Sequence, residues 1–242
     1  MKPSLKNPKL KLERAKEHLE ILDVKVREFF DAKPFSITTY EDVQNALYVM
    51  RIKIPIIDIK LAIIAGDAVD NLRSALDHIA WQLALTKTSR PHDRTAFPII
   101  DINTPEKMRR FDNVTGDIPP AAVNEIKTLQ PYLRGPTYKA DLLWKLDKLC
   151  NINKHRVIPA HGTALDIKFP KGIKPIVSTL NDEYIMAVPI ALKTQMQLAP
   201  PPTTYIFLGS EVDGLVISIN ELSQIYKFVS DDVFPRFTSF FP

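Results

Sequence analysis

The sequence predicts an α+β protein: a helical bundle with an N-terminal β-hairpin insertion, a C-terminal antiparallel sheet and a terminal helix. Three observations predict this class. Apolar residues recur every three or four positions through most of residues 1–160, which is the period of an amphipathic helix. Short stretches near residue 45 and after residue 160 alternate instead and are rich in Thr, Tyr, Val and Ile. Near the C-terminus, Ser218 and Glu221 have the spacing of a capping box at a helix start.

The first part of the chain, residues 1–160, is expected to be mainly helical. Its predicted helices span residues 8–32, 55–86, 119–130 and 138–155, and its hairpin lies at about residues 35–54. Pro55 suits the first turn of the second helix, because its fixed φ fits the helix and its missing N–H is not needed there. That helix is apolar almost all round, so we expect it at the centre. The charged, Pro-rich residues 90–113 are predicted to be a connection.

The second part, residues 161–242, is expected to pack on the first as one compact unit. Its predicted strands span residues 164–169, 176–180, 184–190 and 204–208, and its helix spans 219–229. The end of the chain is rich in phenylalanine, at Phe228, Phe234, Phe237, Phe240 and Phe241. Exposed rings would form an apolar patch, so they are expected to dock on the core or against a second subunit.

Composition limits the class of protein. With 45% hydrophobic and 25% charged residues, the 242-residue chain is typical of a globular protein. No stretch approaches 18 continuous apolar residues, so no membrane span is expected and the predicted location is the cytoplasm. The single cysteine, Cys150, excludes an intramolecular disulfide. The net charge of +4 is compatible with a polyanionic partner such as RNA without requiring one.

The most informative segment is residues 66–78, which lie inside the predicted central helix. Four polar residues there recur at i, i+4, i+7 and i+11, and therefore share one helix face: Asp67, Asn71, Ser74 and His78. Burying such groups costs about 1–3 kcal/mol each unless they are hydrogen-bonded. The helix therefore holds either a polar network or a functional site.

Arg73 lies on a different part of the same helix. At 100° per residue, Arg73 and His78 are about 140° apart around the helix axis. One helix alone therefore cannot bring both side chains to a single atom. Arg73 is instead placed to pair with Asp70 or Asp77, at i−3 and i+4.

A second polar cluster lies on the predicted helix over residues 138–155. Asp147, Asn151 and Lys154 share the face opposite its leucine stripe, and His155 and Arg156 follow. Facing the central helix, this cluster would complete a composite site. Three interpretations stay open: an interhelical hydrogen-bond network, a catalytic or ligand site, and a solvent-exposed face.

Four blocks of the chain carry a resemblance to a known family. They are residues 66–81, Phe97-Pro98-Ile99, Leu129-Gln130-Pro131-Tyr132 and Asn153-Lys154-His155-Arg156. In this order, over about residues 8–160, they resemble a widespread family of bacterial proteins of unassigned function. This resemblance implies no activity.

The segment from Arg73 to His78 also resembles the R-x4–6-H pattern of the HEPN superfamily. Proteins of that superfamily are helical bundles, often dimeric, and include metal-independent ribonucleases of toxin–antitoxin and antiphage systems. The resemblance implies RNA cleavage by 2′-hydroxyl attack, with His78 as general acid or base and Arg73 stabilising the transition state. Asn71 or Asp77 would orient the imidazole.

Because Arg73 and His78 diverge around the helix, this reaction would require a homodimer, or His155 and Arg156 from the other polar helix. The candidate substrate-binding residues are Asp67, Ser74, Asn151, Lys154, His155 and Arg156. No metal or cofactor is expected, since the chain has no Gly-rich phosphate loop and no HExxH pair. The alternative is a non-catalytic binding or scaffold protein with an unidentified ligand, in which the polar helix face is a structural network.

Overall fold

The computed structural model describes residues 2–32, 36–53, 56–166, 174–180, 183–197 and 203–241, and it confirms the α+β class. The helices are α1 (Lys6–Asp31), α2 (Ile59–Lys87), α3 (Pro105–Thr115), α4 (Pro120–Thr128), α5 (Leu142–His155), α6 (Lys193–Gln197) and α7 (Ile219–Lys227). The strands are β1 (Ser36–Asp42), β2 (Leu47–Lys53), β3 (Ala160–Asp166), β4 (Ile176–Leu180), β5 (Glu183–Pro189), β6 (Thr203–Ser210) and β7 (Leu215–Ser218).

Helix α2 is the central element, as its apolar pattern predicts. The Asp58 side chain accepts a hydrogen bond from the Lys60 backbone N–H and so caps its first turn. Small buried residues such as Ala65 and Ala75 let neighbouring helices approach closely. Helix α1 packs along one side of α2 and α5 along another. The polar side chains of α2 therefore lie beside its contacts with α1 and with α5.

The strands form two antiparallel sheets. One has the strand order β1-β2-β5-β4, and the other has the order β3-β6-β7. The N-terminal hairpin is thus extended by strands from the C-terminal part, with Ile52 of β2 opposite Tyr184 of β5. Ile52 is completely buried. This long-range pairing leaves no signal in local sequence patterns, which predict a separate C-terminal sheet.

The stretch predicted to be a connection contains a helix, α3. The Thr104 side chain accepts a hydrogen bond from the Lys107 N–H, and Pro105 and Glu106 occupy the first turn. Only Phe111 and Thr115 of α3 are buried. The apolar periodicity is therefore too weak to predict the helix, although its capping residues are typical.

Helix α5 begins later than its predicted start at residue 138. Residues 131–140 form 3₁₀ turns, interrupted at Gly135, whose φ of 56° lies in the left-handed region. The Asp141 side chain then accepts a hydrogen bond from the Leu143 N–H and caps α5. The cap, rather than the apolar pattern, fixes where the helix starts.

In the C-terminal part, β3 begins four residues before the predicted strand, and residues 167–169 of that prediction lie outside the described residues. The short strand β7 was not predicted. The final helix and its capping box are confirmed: Ser218 and Glu221 exchange both hydrogen bonds.

The phenylalanine-rich end of the chain docks on the core. Phe237 is completely buried, and its ring packs edge-to-face on Phe97 with 6.1 Å between centroids. Phe234, Phe240 and Phe241 are partly buried against the same core. The C-terminal segment therefore packs directly against Phe97.

Candidate functional site

The polar residues of α2 divide between two faces. Towards α1, the Asn71 amide donates to the Asp67 carbonyl at 2.8 Å, and Lys11 Nζ lies 3.4 Å from Asn71 Oδ1. His18 Nδ1 lies 4.0 Å from the Asp67 carboxylate. The other face, with Asp70, Arg73 and Asp77, lies towards α5 and residues 96–100.

Arg73 is the most constrained of these side chains, with only 15% of it exposed. Its Nη2 donates to Asp77 Oδ1 at 2.9 Å and to the Phe97 carbonyl at 2.7 Å. Its Nη1 lies 3.8 Å from Asp147 Oδ1. That nitrogen is buried and makes no hydrogen bond with any described residue. Among the described residues, Nη1 therefore has an ion-pair partner in Asp147 but no hydrogen-bond acceptor.

Arg73 lines a small polar pocket of about 160 Å³, which we call the arginine pocket. Its walls are residues 96–100 and the side chains of Arg73, Arg110, Val114, Asp147, Asn151 and Lys154. Three cationic side chains thus line the pocket against two carboxylates, Asp147 in its wall and Asp77 bonded to Arg73, so the pocket keeps a small positive excess. Helices α2, α3 and α5 each contribute at least one of these side chains.

The wall at residues 96–100 is held by buried hydrogen bonds. Gln130 is 1% exposed, and its Oε1 accepts from the Ile100 N–H at 2.8 Å. Its Nε2 donates to the carbonyls of Pro98 at 3.0 Å and Ile126 at 2.9 Å. Asp77 Oδ1 accepts from the Phe97 N–H at 3.0 Å. Both ends of the pocket wall are therefore held by side-chain hydrogen bonds, one to Asp77 of α2 and the other to Gln130, which follows α4.

Close packing between α2 and α5 places the polar face of α5 beside Arg73. Asn153 Nδ2 donates to Asp70 Oδ2 at 2.9 Å, and Cys150 Sγ lies 3.8 Å from Asp70 Oδ1. A Cβ atom at Gly66 would overlap the Asn153 amide. Burial raises the pKa of the Cys150 thiol, which keeps it protonated.

His78 opens on a different cavity, which we call the histidine groove. The groove has a volume of about 630 Å³ and is lined by Asn7, Asp77, His78, Trp81, Gln82, Leu85, Ser89 and Thr95. Burial lowers the pKa of His78, the Lys11 ammonium lowers it further, and Asp77 opposes both. Nδ1 of the ring is buried and makes no hydrogen bond with any described residue.

The structure thus brings some predicted site residues together and separates others. Arg73, Asn151 and Lys154 line the arginine pocket, and Asp77 contacts Arg73 while lining the histidine groove. His78 does not line the arginine pocket.

The remaining predicted site residues lie elsewhere. Asp67 and Asn71 contact α1, and Ser74 is half-buried on α2. His155 is exposed, and Arg156 pairs with Asp213 in the β6–β7 turn. None of these lines the arginine pocket or the histidine groove.

The sequence did not predict Arg110, which lines the arginine pocket, or Gln130, which holds the pocket wall. Arg110 lies on α3, which was not predicted, so no pattern placed it near Arg73. Gln130 belongs to one of the blocks that carry the family resemblance, but nothing in its spacing indicates a buried amide. All four blocks meet here: the residues around Arg73, Phe97, Gln130 and Lys154 surround one pocket.

Comparisons of the chain with protein-family models, with curated proteins and with solved structures find no match. Within the described ranges, no helix is long and apolar enough to cross a membrane. The same part of the chain holds no group of three His, Cys, Asp or Glu side chains placed for a metal ion.

Proposed function

We propose that this protein is a ligand-binding protein whose arginine pocket holds an anionic group of the phosphate type. The observation that carries the proposal is the buried Nη1 of Arg73, which no described residue hydrogen-bonds and which has only the Asp147 carboxylate, at 3.8 Å, as an ion-pair partner. A buried donor without a partner costs about 1–3 kcal/mol, and an anion entering the pocket would supply the acceptor.

The surrounding charges support the same ligand class. Arg110 and Lys154 add two exposed cations at the pocket rim, and the nearby carboxylates are those of Asp147 and of Asp77, which is bonded to Arg73. A planar guanidinium matches the oxygens of phosphate or carboxylate, and such charge-assisted hydrogen bonds are stronger than neutral ones. The volume of about 160 Å³ is below the range of roughly 300–1,000 Å³ typical of whole-ligand pockets. It suits one anionic group rather than an entire ligand.

The test is calorimetric titration of the protein with inorganic phosphate at low ionic strength. Arg110→Ala and Lys154→Ala should each weaken binding by about five- to tenfold, since each removes one rim cation worth roughly 1 kcal/mol. Arg109→Ala is a matched control, because Arg109 is an exposed neighbour on α3 that does not line the pocket. Added salt should weaken binding by wild type. Absence of saturable binding, or equal effects of the Arg109 and Arg110 variants, would contradict the proposal.

A second candidate, metal-independent RNA cleavage, is favoured by one observation at the histidine groove. His78 lines the groove, and its lowered pKa favours the neutral imidazole that a general base requires. Lys11, which does not itself line the groove, is close enough to lower that pKa and would add positive charge near a developing phosphorane. An Arg73–His78 pair would need a second chain, because the two side chains line different cavities.

This candidate predicts cleavage of a labelled RNA in the presence of a chelator, leaving 2′,3′-cyclic phosphate ends. His78→Ala should abolish cleavage, whereas His92→Ala, a change at an exposed histidine, should not. A substrate with a 2′-deoxy nucleotide at the cleavage position should resist. An inactive wild type, or an active His78 variant, would reject the candidate and leave the anion-binding proposal in place.

A further inference from the structure

A third cavity adjoins the arginine pocket, between the 3₁₀ turns at residues 131–140, α5 and the β6–β7 turn. It has a volume of about 370 Å³, and we call it the tryptophan groove. The side chains that matter for its chemistry are Asp101, Tyr138, Lys139, Trp144, Lys148 and Asp213. It shares Asp147 and Asn151 with the arginine pocket, so these two side chains form a common wall.

The aromatic residues of the tryptophan groove are fixed in place. The Trp144 ring is half-buried against the core and meets Tyr138 edge-to-face, with 5.8 Å between centroids. A held aromatic ring beside a polar groove is suited to stacking with another flat ring. Nucleobases are flat rings of this kind, and stacking tolerates any base because every base has a π-face.

The side chains of the two cavities differ, which orients a ligand that spans them. The arginine pocket is lined by three cations, one of which, Arg73, keeps a nitrogen that no described residue hydrogen-bonds. In the tryptophan groove, the carboxylates of Asp101 and Asp213 already pair with Lys107 and Arg156, and the groove offers an aromatic ring instead. A phosphate is therefore attracted to the first cavity and a flat, uncharged ring to the second.

We propose that the natural ligand is a nucleoside monophosphate, with its phosphate in the arginine pocket and its base against Trp144. The ribose lies at the common wall, where the Asp147 carboxylate and the Asn151 amide are the available partners for its hydroxyls. Asn151 Nδ2 already donates to Asp147 Oδ2 at 3.1 Å, so the two side chains are aligned before binding. This inference rests on the proposed anion site and adds the identity of the rest of the ligand.

The two tryptophans of the chain, Trp81 and Trp144, allow a test that distinguishes the cavities, because Trp81 lines the histidine groove. In Trp81→Phe, Trp144 is the one tryptophan left, and with excitation at a wavelength that tyrosine does not absorb, adenosine monophosphate should quench its emission saturably. In Trp144→Phe, only Trp81 remains, and the same titration should leave its emission unchanged. Quenching of Trp81 with a silent Trp144 would place the ligand in the histidine groove and overturn the inference.

Calorimetry with ribose 5-phosphate separates this inference from the proposed function. Wild type should bind adenosine monophosphate about tenfold more tightly than ribose 5-phosphate, because only the nucleotide stacks. Trp144→Ala should remove that tenfold difference while phosphate affinity stays unchanged, and Trp144→Phe should retain most of it. Equal affinities in wild type would overturn the nucleotide inference alone. Failure of phosphate, ribose 5-phosphate and nucleotide to bind would overturn the anion site as well.

Discussion

Arg73 Nη2 lies 2.9 Å from Asp77 Oδ1, one turn further along α2, and that same oxygen accepts the Phe97 N–H. One carboxylate thus fixes both the cation at the base of the arginine pocket and the wall beside it. Arg73 Nη2 also donates to the Phe97 carbonyl, so Arg73, Asp77 and Phe97 are each hydrogen-bonded to the other two. The pocket is organised before any ligand enters, which lowers the entropic cost of binding.

Replacing Asp77 with asparagine should therefore weaken both the fold and the site. Hydrogen bonds to a charged group contribute roughly 1.5–3 kcal/mol, and the neutral amide retains only part of this. We expect Asp77→Asn to lower the free energy of unfolding by about 1–2 kcal/mol in urea denaturation. Asp112→Asn, at an exposed position on α3, is the control and should be neutral. An Asp77 variant as stable as the control would show that the carboxylate does not organise the pocket.

The buried amide of Gln130 should contribute strongly to the free energy of unfolding. Gln130→Ala leaves the Ile100 N–H and the Pro98 carbonyl without their described partner, whereas the Ile126 carbonyl keeps its bond from the Leu129 N–H. We expect a loss of about 2–4 kcal/mol in the free energy of unfolding. Gln224→Ala, on the exposed side of α7, should change it by less than about 0.5 kcal/mol. Similar midpoints for the two variants in a denaturant titration would refute the role given to Gln130.

Gly66 and Asn153 should show coupled effects. Alanine at position 66 improves helix propensity by about 1 kcal/mol, but its Cβ displaces the Asn153 amide and disturbs the bond to Asp70. We expect Gly66→Ala to be neutral or slightly destabilising in the wild-type background. In an Asn153→Ala background, the same change should stabilise by about 0.5–1 kcal/mol. A double-mutant cycle measures this, and additive changes would argue against the close α2–α5 contact.

The lowered pKa of His78 predicts a pH dependence of stability. Burial, which is the larger cause, and Lys11 keep this pKa below the ordinary value of 6.5 in the folded chain. As the pH falls through about 6.5, the unfolded chain takes up a proton that the folded chain does not, so stability decreases. Denaturation between about pH 7.5 and about pH 5.5 should show a smaller decrease for His78→Gln than for wild type. His92→Gln, at an exposed site, should behave like wild type. If the stability of the His78 variant fell with pH as steeply as that of wild type, the His78 imidazole would not be shielded from solvent in the folded protein.

The sequence predicted what local spacing determines. The i, i+4 separation placed Arg73 within reach of Asp77, and Ser218 with Glu221 marked the start of α7. The Phe97 carbonyl reaches Arg73, and Arg110 comes to line the same pocket, through long-range packing, which no periodicity encodes. The same reason explains why the pairing of β2 with β5 was missed.

The separation of Arg73 and His78 has a similar explanation. The angle of about 140° between them around the α2 axis predicts that the two side chains point in different directions. Which neighbours fill the space on each side depends on α1 and α5, whose positions the sequence did not provide. Arg73 and His78 therefore line two different cavities, as their divergence around the helix predicts.

The most direct test of the central claim is calorimetric titration of inorganic phosphate into Arg73→Lys. Lysine keeps the positive charge near Asp77 but lacks the second guanidinium nitrogen that no described residue hydrogen-bonds, so we predict binding at least about tenfold weaker than wild type. Arg109→Lys should bind like wild type. Unchanged phosphate affinity in Arg73→Lys would contradict the account, since the buried Nη1 would then have no part in holding the anion.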